Sequence, residues 1–127
     1  MKQPKDINIF IVDDNPFCLH LYETQLQNNG FEQITIFSDA EACLTEATTQ
    51  PDVVFVDHDM SPMNGIELMK AMKIISPQTM VVFVSAQRHV KKAIEALRNG
   101  ANEYIVKDGS ETTQMLQTVH QLVYKIN

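Results

Sequence analysis

Three features of the sequence predict an α/β domain of five β-α units around a parallel sheet. Short runs rich in Val, Ile, Phe and Tyr recur at 7–12, 33–37, 53–56, 80–84 and 103–106, the composition of strands. The first, third and fourth are almost continuously apolar rather than alternating, as strands covered on both faces are. A segment with helical punctuation follows every run. Such alternation produces a parallel sheet with helices on both faces. The 127 residues suit one such domain, read as 1–127 with a loose tail at 1–5 and no effector domain.

Each helix has its own start and stop signals. Asp14 or Asn15 can cap the first, with Pro16 at its first position and Asn28-Asn29-Gly30 closing it. Ser38 and Glu41 have the spacing of a capping box for the second, which must stop before Pro51. The third is expected from about Asn64 to Ile75, ahead of Ser76-Pro77. In the fourth, Val90, Ile94 and Leu97 form one stripe that ends at Asn99-Gly100. In the fifth, Met115, Leu116, Val119, Leu122, Val123 and Ile126 recur at helical spacing behind a Ser110 cap.

Composition removes several classes of function. Ten Lys and Arg against 16 Asp and Glu give a net charge of -6, which repels a phosphate backbone and argues against a nucleic-acid partner. No apolar run approaches the roughly 20 residues of a membrane helix, and the N-terminus lacks the pattern of a signal peptide. Cys18 and Cys43 are too few for a disulfide framework or a zinc site. These readings lead to the expectation of a cytoplasmic domain.

Ligands of open parallel sheets bind beyond the carboxyl ends of the strands. There the sequence places Asp13 and Asp14 after the first strand, Asp57 after the third, Ser85 after the fourth and Lys107 after the fifth. Taken singly, an acid in a turn, a helix-capping serine and a surface lysine are ordinary. Their coincidence at four strand ends points to a site. Three convergent carboxylates repel unless one holds a proton or a cation joins them. Hard oxygen ligands with incomplete protein coordination suit Mg²⁺, with Mn²⁺ as a substitute. A neighbouring lysine and hydroxyl can then receive phosphoryl oxygens, which suggests phosphoryl transfer to an aspartate. No nucleotide-binding glycine motif accompanies the set, so the phosphoryl donor must come from outside the chain.

The motifs Val12-Asp13-Asp14-Asn15, Asp57 to Gly65 with Met60, Pro62 and Met63, Ser85-Ala86 and Tyr104-Ile105-Val106-Lys107 occur in order. With them the chain resembles the CheY-like response-regulator receiver domains of two-component phosphorelays over essentially its whole length. The resemblance implies a flavodoxin-like three-layer sandwich with strand order 2-1-3-4-5. It also implies phosphorylation of Asp57 by a phosphohistidine on a sensor histidine kinase or phosphotransfer protein. Asp13, Asp14 and Asp57 would hold the metal together with the Asp59 backbone carbonyl. Lys107 and Ser85 would contact the phosphoryl group, and Ser85 and Tyr104 would switch the surface of the fourth helix, fifth strand and fifth helix. The protein would then be no enzyme beyond its own phosphorylation and dephosphorylation, and a monomer or weak dimer with an unidentified output partner.

Two departures stand out. Asp108 replaces the proline that usually follows the lysine, and since a non-proline cis bond costs about 3 kcal/mol, a trans peptide is expected at 107–108. Asp59 adds an acid two residues after the acceptor, and with Gln87 is a candidate for tuning phosphate lifetime. His58 should point away from the site and serve as a packing or loop residue. His20, His89 and His120 lack metal-ligand spacing, and Lys91, Lys92, Arg88 and Arg98 make the fourth helix basic. The apolar residues of the first helix span about 200° of its wheel, more than a core stripe needs, so Phe17 or Leu19 is expected at an exposed docking edge. Two rival functions remain at this point. One is a receiver fold acting only as a binding module. The other is a haloacid-dehalogenase-type phosphatase, whose nucleophile and acid pair Asp57-x-Asp59 imitates although its strand order fits less well.

Overall fold

The computed structural model describes residues 2–86 and 90–124. Its strands are β1 (Asn8–Val12), β2 (Gln33–Phe37), β3 (Val53–Val56), β4 (Met80–Ser85) and β5 (Glu103–Val106). The helices between and after them are α1 (Pro16–Asn28), α2 (Ala40–Thr45), α3 (Gly65–Ile75), α4 (Val90–Arg98) and α5 (Glu111–Tyr124). All strand pairs are parallel and the sheet order is β2-β1-β3-β4-β5, the five-unit α/β architecture expected from the alternation of patterns.

Strand periodicity divides the core into two layers. Phe10, Val12, Val54, Val56, Val81 and Phe83 face α2, α3 and α4, packing with Cys43, Leu68, Met69, Met72 and Ala96. Ile9, Ile11, Phe55, Val82, Val84 and Ile105 face the opposite layer, where Leu19, Tyr22 and Leu26 of α1 meet Met115, Val119 and Val123 of α5. All four residues of β3 are buried, which explains why its sequence shows no alternation. The edge strand β2 alternates in exposure instead.

Local chemistry accounts for the helix ends. Asn15 caps α1 by accepting from the Phe17 and Cys18 N–H groups, with Pro16 in the first turn. Asn64 and Glu67 form a reciprocal capping box at α3. The cap of α2 is Asp39, whose carboxylate accepts the Ala42 N–H at 2.8 Å, rather than Ser38. The helix therefore starts one residue later than the Ser38–Glu41 spacing suggested, and a 3₁₀ turn at Ala47–Thr49 completes the connection. Ser110 stands before α5, but its hydroxyl donates to Asp108 Oδ1 at 2.6 Å. Ile126 lies outside the described residues.

Three further expectations take definite form in the structure. Pro4–Asp6 forms a 3₁₀ turn, Lys2 pairs with Asp52 at 2.6 Å and the Lys5 carbonyl accepts from Gln33, so residues 2–6 are tied to the body of the protein. In α1, Phe17 is 72% exposed, whereas Leu19 belongs to the core. The Val90, Ile94 and Leu97 stripe of α4 faces outward, with exposures of 71%, 41% and 47%, while Ala96 alone of the helix's described residues is fully buried. Small alanines allow this helix to approach the sheet, and its large apolar residues lie off the contact.

Candidate functional site

Strand order reverses between β1 and its two neighbours, so the crevice beside the carboxyl ends of β1 and β3 is where ligands of such sheets bind. Backbone hydrogen bonds carry the ladder past the strand ends. Asp13 N–H donates to the Phe37 carbonyl (3.1 Å), Asp57 N–H to Val12 (3.0 Å) and Lys107 N–H to Ser85 (2.9 Å). The side chains of Asp13, Asp57 and Lys107 thus project from backbone that the sheet holds in place.

Their geometry is convergent. Lys107 Nζ donates to Asp13 Oδ2 at 2.7 Å and lies 3.8 Å from Asp57 Oδ2. The second oxygen of Asp13 accepts the Asn15 N–H at 2.9 Å, which fixes that carboxylate. Asp57 Oδ1 accepts the Asp59 N–H at 3.4 Å. Carboxylate oxygens of Asp13, Asp14 and Asp57 lie within 4.8 Å of one another. Asp13 and Asp57 are buried and Asp14 is exposed, giving the cluster one open side. The Lys107–Asp108 peptide is trans, since the one cis bond among the described residues is Ser61–Pro62. The lysine reaches the carboxylates without a proline after it.

Electrostatics follow from this crowding. Burial, and then the charge of Asp13, push the Asp57 carboxyl up to about 6, against the opposing pull of Lys107 and the Asp59 N–H. Burial works against the charge of Lys107, but the hydrogen bond and charge of Asp13, with the charge of Asp57, outweigh it and raise the ammonium above its ordinary value. One lysine does not neutralise three carboxylates. The converging hard oxygens can hold a divalent cation, and the excess negative charge favours one.

Gly65 opens α3 directly beneath the site. A Cβ there would come within 2.7 Å of the Asp57 carbonyl oxygen and 2.8 Å of Phe83 Cε2, so only glycine permits the approach. Its N–H donates to the His58 carbonyl at 3.1 Å, tying the loop after Asp57 to the start of the helix.

Ser85 is fully buried at the end of β4 and shares a side-chain hydrogen bond with half-buried Tyr104 on β5. The Tyr104 ring stacks on Phe83, with centroids 5.9 Å apart and planes 11° from parallel. Asp59 projects outward, and its Oδ1 accepts from Lys92 Nζ of α4 at 3.3 Å. Gln87, the other candidate for phosphate tuning, lies outside the described residues, as do Arg88 and His89. Two residues have partners that the sequence did not indicate. Lys92 had the look of a solvated basic residue until the fold placed it opposite Asp59. His58 is a packing residue, as expected, but its packing partners are Phe83 and Tyr104.

Comparison with known proteins places these features in context. The pattern described as the response regulator receiver domain matches residues 9–120. The regulatory protein AtoC of Escherichia coli is 34% identical over 90% of this chain and 25% of its own length. The chemotaxis protein CheY of Bacillus subtilis is 34% identical over 78% of this chain and 83% of its own. The chain spans about a quarter of AtoC and less than half of the transcriptional regulatory protein PrrA of Mycobacterium leprae, 42% of whose length it matches. Among solved structures, the receiver domain of the Francisella response regulator 1452 superposes with a TM-score of 0.83 at 25% identity, covering 93% of this chain and 97% of that one.

Proposed function

The chain belongs to the response regulator receiver domain family, and from that premise we propose that it accepts a phosphoryl group on Asp57 from a phosphohistidine and changes its surface in response. The donor is a sensor histidine kinase or a histidine phosphotransfer protein. An Asp57 carboxylate oxygen attacks phosphorus, the P–N bond to the donor histidine breaks and a P–O bond forms. The freed imidazole nitrogen recovers a proton from solvent.

The observation that carries this reading is the placement of Asp57. Its buried carboxyl stands 3.8 Å from Lys107 Nζ, in a cluster of three acids open on one side. Lys107 supplies a fixed positive charge for the oxygens of the incoming group. Ser85 donates its hydroxyl to one of them. Asp13, Asp14 and Asp57 are the side chains that would hold Mg²⁺ or Mn²⁺, with Asp59 adding its backbone carbonyl. A bound cation supplies further charge neutralisation for the phosphoryl oxygens. The shared hydrogen bond between Ser85 and Tyr104 supports a switch in which recruitment of Ser85 releases or redirects the tyrosine and alters the α4-β5-α5 surface. Asp59, two residues after the acceptor, and Gln87, two residues after Ser85, set phosphate lifetime in this reading. Catalysis is confined to the chain's own phosphorylation and dephosphorylation.

The direct test is intact mass after incubation with Mg²⁺ and acetyl phosphate. The expected result is a gain of one phosphoryl group that is lost in the Asp57→Asn variant and in chelator. No gain under conditions that label an established receiver refutes the reading.

A further inference from the structure

His58 occupies an unusual position. It follows Asp57 directly, its carbonyl is fixed by the Gly65 N–H at 3.1 Å, and the residue is only 6% exposed. The imidazole lies against Phe83 (5.4 Å between centroids) and edge-on to Tyr104 (6.0 Å). Its Nδ1 has no hydrogen-bond partner among the described residues. Among the described residues that edge of the ring is held by packing and not by a directional bond, although a buried polar atom ordinarily finds a partner. On its outer side the ring borders a groove lined by Asp59, Ser61, Asn64, Lys92 and Glu95, between the loop after β3 and α4. The polar groups of this groove belong to both sides, so a small displacement of α4 changes what the imidazole faces.

These contacts make a continuous path. Asp57 and His58 share a peptide unit, His58 touches Tyr104, and Tyr104 is bonded to Ser85. Lys92 ties the next residue, Asp59, to α4. A backbone adjustment at Asp57 must move the imidazole, because its Cα is one residue away and its carbonyl is anchored. The ring has Phe83 on one side and Tyr104 beside it, and close-packed groups pass displacement on to their neighbours.

We propose that His58 is a positioning residue of the switch: its ring wedges Tyr104 in the resting arrangement and transmits the state of Asp57 to it. The proposal rests on the receiver function above, but its resting-state consequence can be read without any phosphoryl donor. Removing the wedge should free Tyr104 to populate its alternative arrangement. The expected increase is roughly two- to tenfold, the equilibrium equivalent of one aromatic contact.

The chain has three tyrosines, so ¹⁹F NMR of 3-fluorotyrosine-labelled protein should give a resolved signal for Tyr104, assigned with Tyr104→Phe. In His58→Ala without donor, the Tyr104 signal should move toward the position it takes in wild type with Mg²⁺ and acetyl phosphate. His58→Phe, which restores an aromatic ring, should return it to the resting position. Intact mass on the same samples reports labelling of Asp57 independently. If wild type gains no phosphoryl group, the receiver reading fails. The wedge is still tested by whether the resting Tyr104 signals of His58→Ala and His58→Phe differ. If Asp57 is labelled and His58→Ala leaves the Tyr104 signal at its wild-type position with and without donor, the wedge is refuted. Should circular dichroism show His58→Ala unfolded, His58→Leu fills similar space without a ring and must displace the signal in the same direction, or the proposal falls.

Discussion

Replacing Asp57 by Asn should stabilise the protein at neutral pH in the absence of divalent cations. Asn has the shape of the protonated acid and lacks its negative charge. In the folded chain the Asp57 carboxyl is pushed from its ordinary 3.8 up to about 6, first by burial and then by Asp13. The native state thus binds this proton more tightly than the unfolded state. Between about pH 4 and 6 the native protein holds more protons, so stability due to this group is fully present below pH 4 and is lost as pH rises through 6. At 1.36 kcal/mol per pH unit, a difference of about two units corresponds to about 3 kcal/mol by pH 7.5. Asp57 is 8% exposed, so solvent screens little of this. Urea denaturation of both proteins with EDTA at pH 4 and at pH 7.5 checks the sign and the window. The Asp57→Asn variant should be more stable than wild type by roughly 3 kcal/mol at the higher pH, with the gap closing at the lower. Millimolar Mg²⁺ should narrow it again by stabilising wild type. An equal stability at pH 7.5, or a gap unchanged at pH 4, refutes the argument that charge crowding dominates this site.

Three other expectations are open to direct measurement. Gly65→Ala forces a Cβ to within 2.7 Å of the Asp57 carbonyl oxygen and should cost about 1–3 kcal/mol in denaturant melts while slowing phosphorylation through the shifted loop. Lys107→Ala leaves Asp13, whose side chain is 3% exposed, without the cation 2.7 Å away; a loss of about 3 kcal/mol in EDTA is expected, with partial recovery in Mg²⁺ as the cation replaces the lysine's charge. Asp59→Asn removes the negative charge paired with Lys92 at an exposed pair, so stability should change by less than about 1 kcal/mol, whereas the dephosphorylation rate measured by loss of the mass adduct should change. An unchanged rate would show that Asp59 does not tune phosphate lifetime.

The fold was legible because its strongest signals are local. Strands buried on both faces have no choice but to be apolar throughout, as Val53 to Val56 show. Proline and asparagine at the start of α1 specify its cap by their own chemistry. The acids and the lysine were legible for a related reason: each directly follows an identifiable strand, and parallel strands deliver their carboxyl ends to one edge. What could not be read depends on distance in the chain. Ser38 and Asp39 are both good caps, and the choice between them rests on where the backbone turns. Periodicity showed that Val90, Ile94 and Leu97 share a face of α4 but not whether that face is covered. The Lys92–Asp59 pair joins residues 33 apart, and the His58–Tyr104 contact joins the end of β3 to β5 across the intervening β4 and a longer stretch of chain.

The helices are anchored unequally. On one side α1 and α5 each bury three or more large side chains, among them Tyr22, Leu26, Met115 and Val119. On the other, α4 buries Ala96 and holds its larger apolar groups in solvent. Free energies of local opening track buried apolar contact, so the molecule has a hierarchy of exchange protection. Amides of β1, β3 and α5 should exchange with deuterium only through near-global opening, while those of α4 exchange through a small, independent one. The α4 part of the α4-β5-α5 surface can therefore rearrange many times during the lifetime of a native sheet, and the carboxylate cluster keeps its shape while it does so.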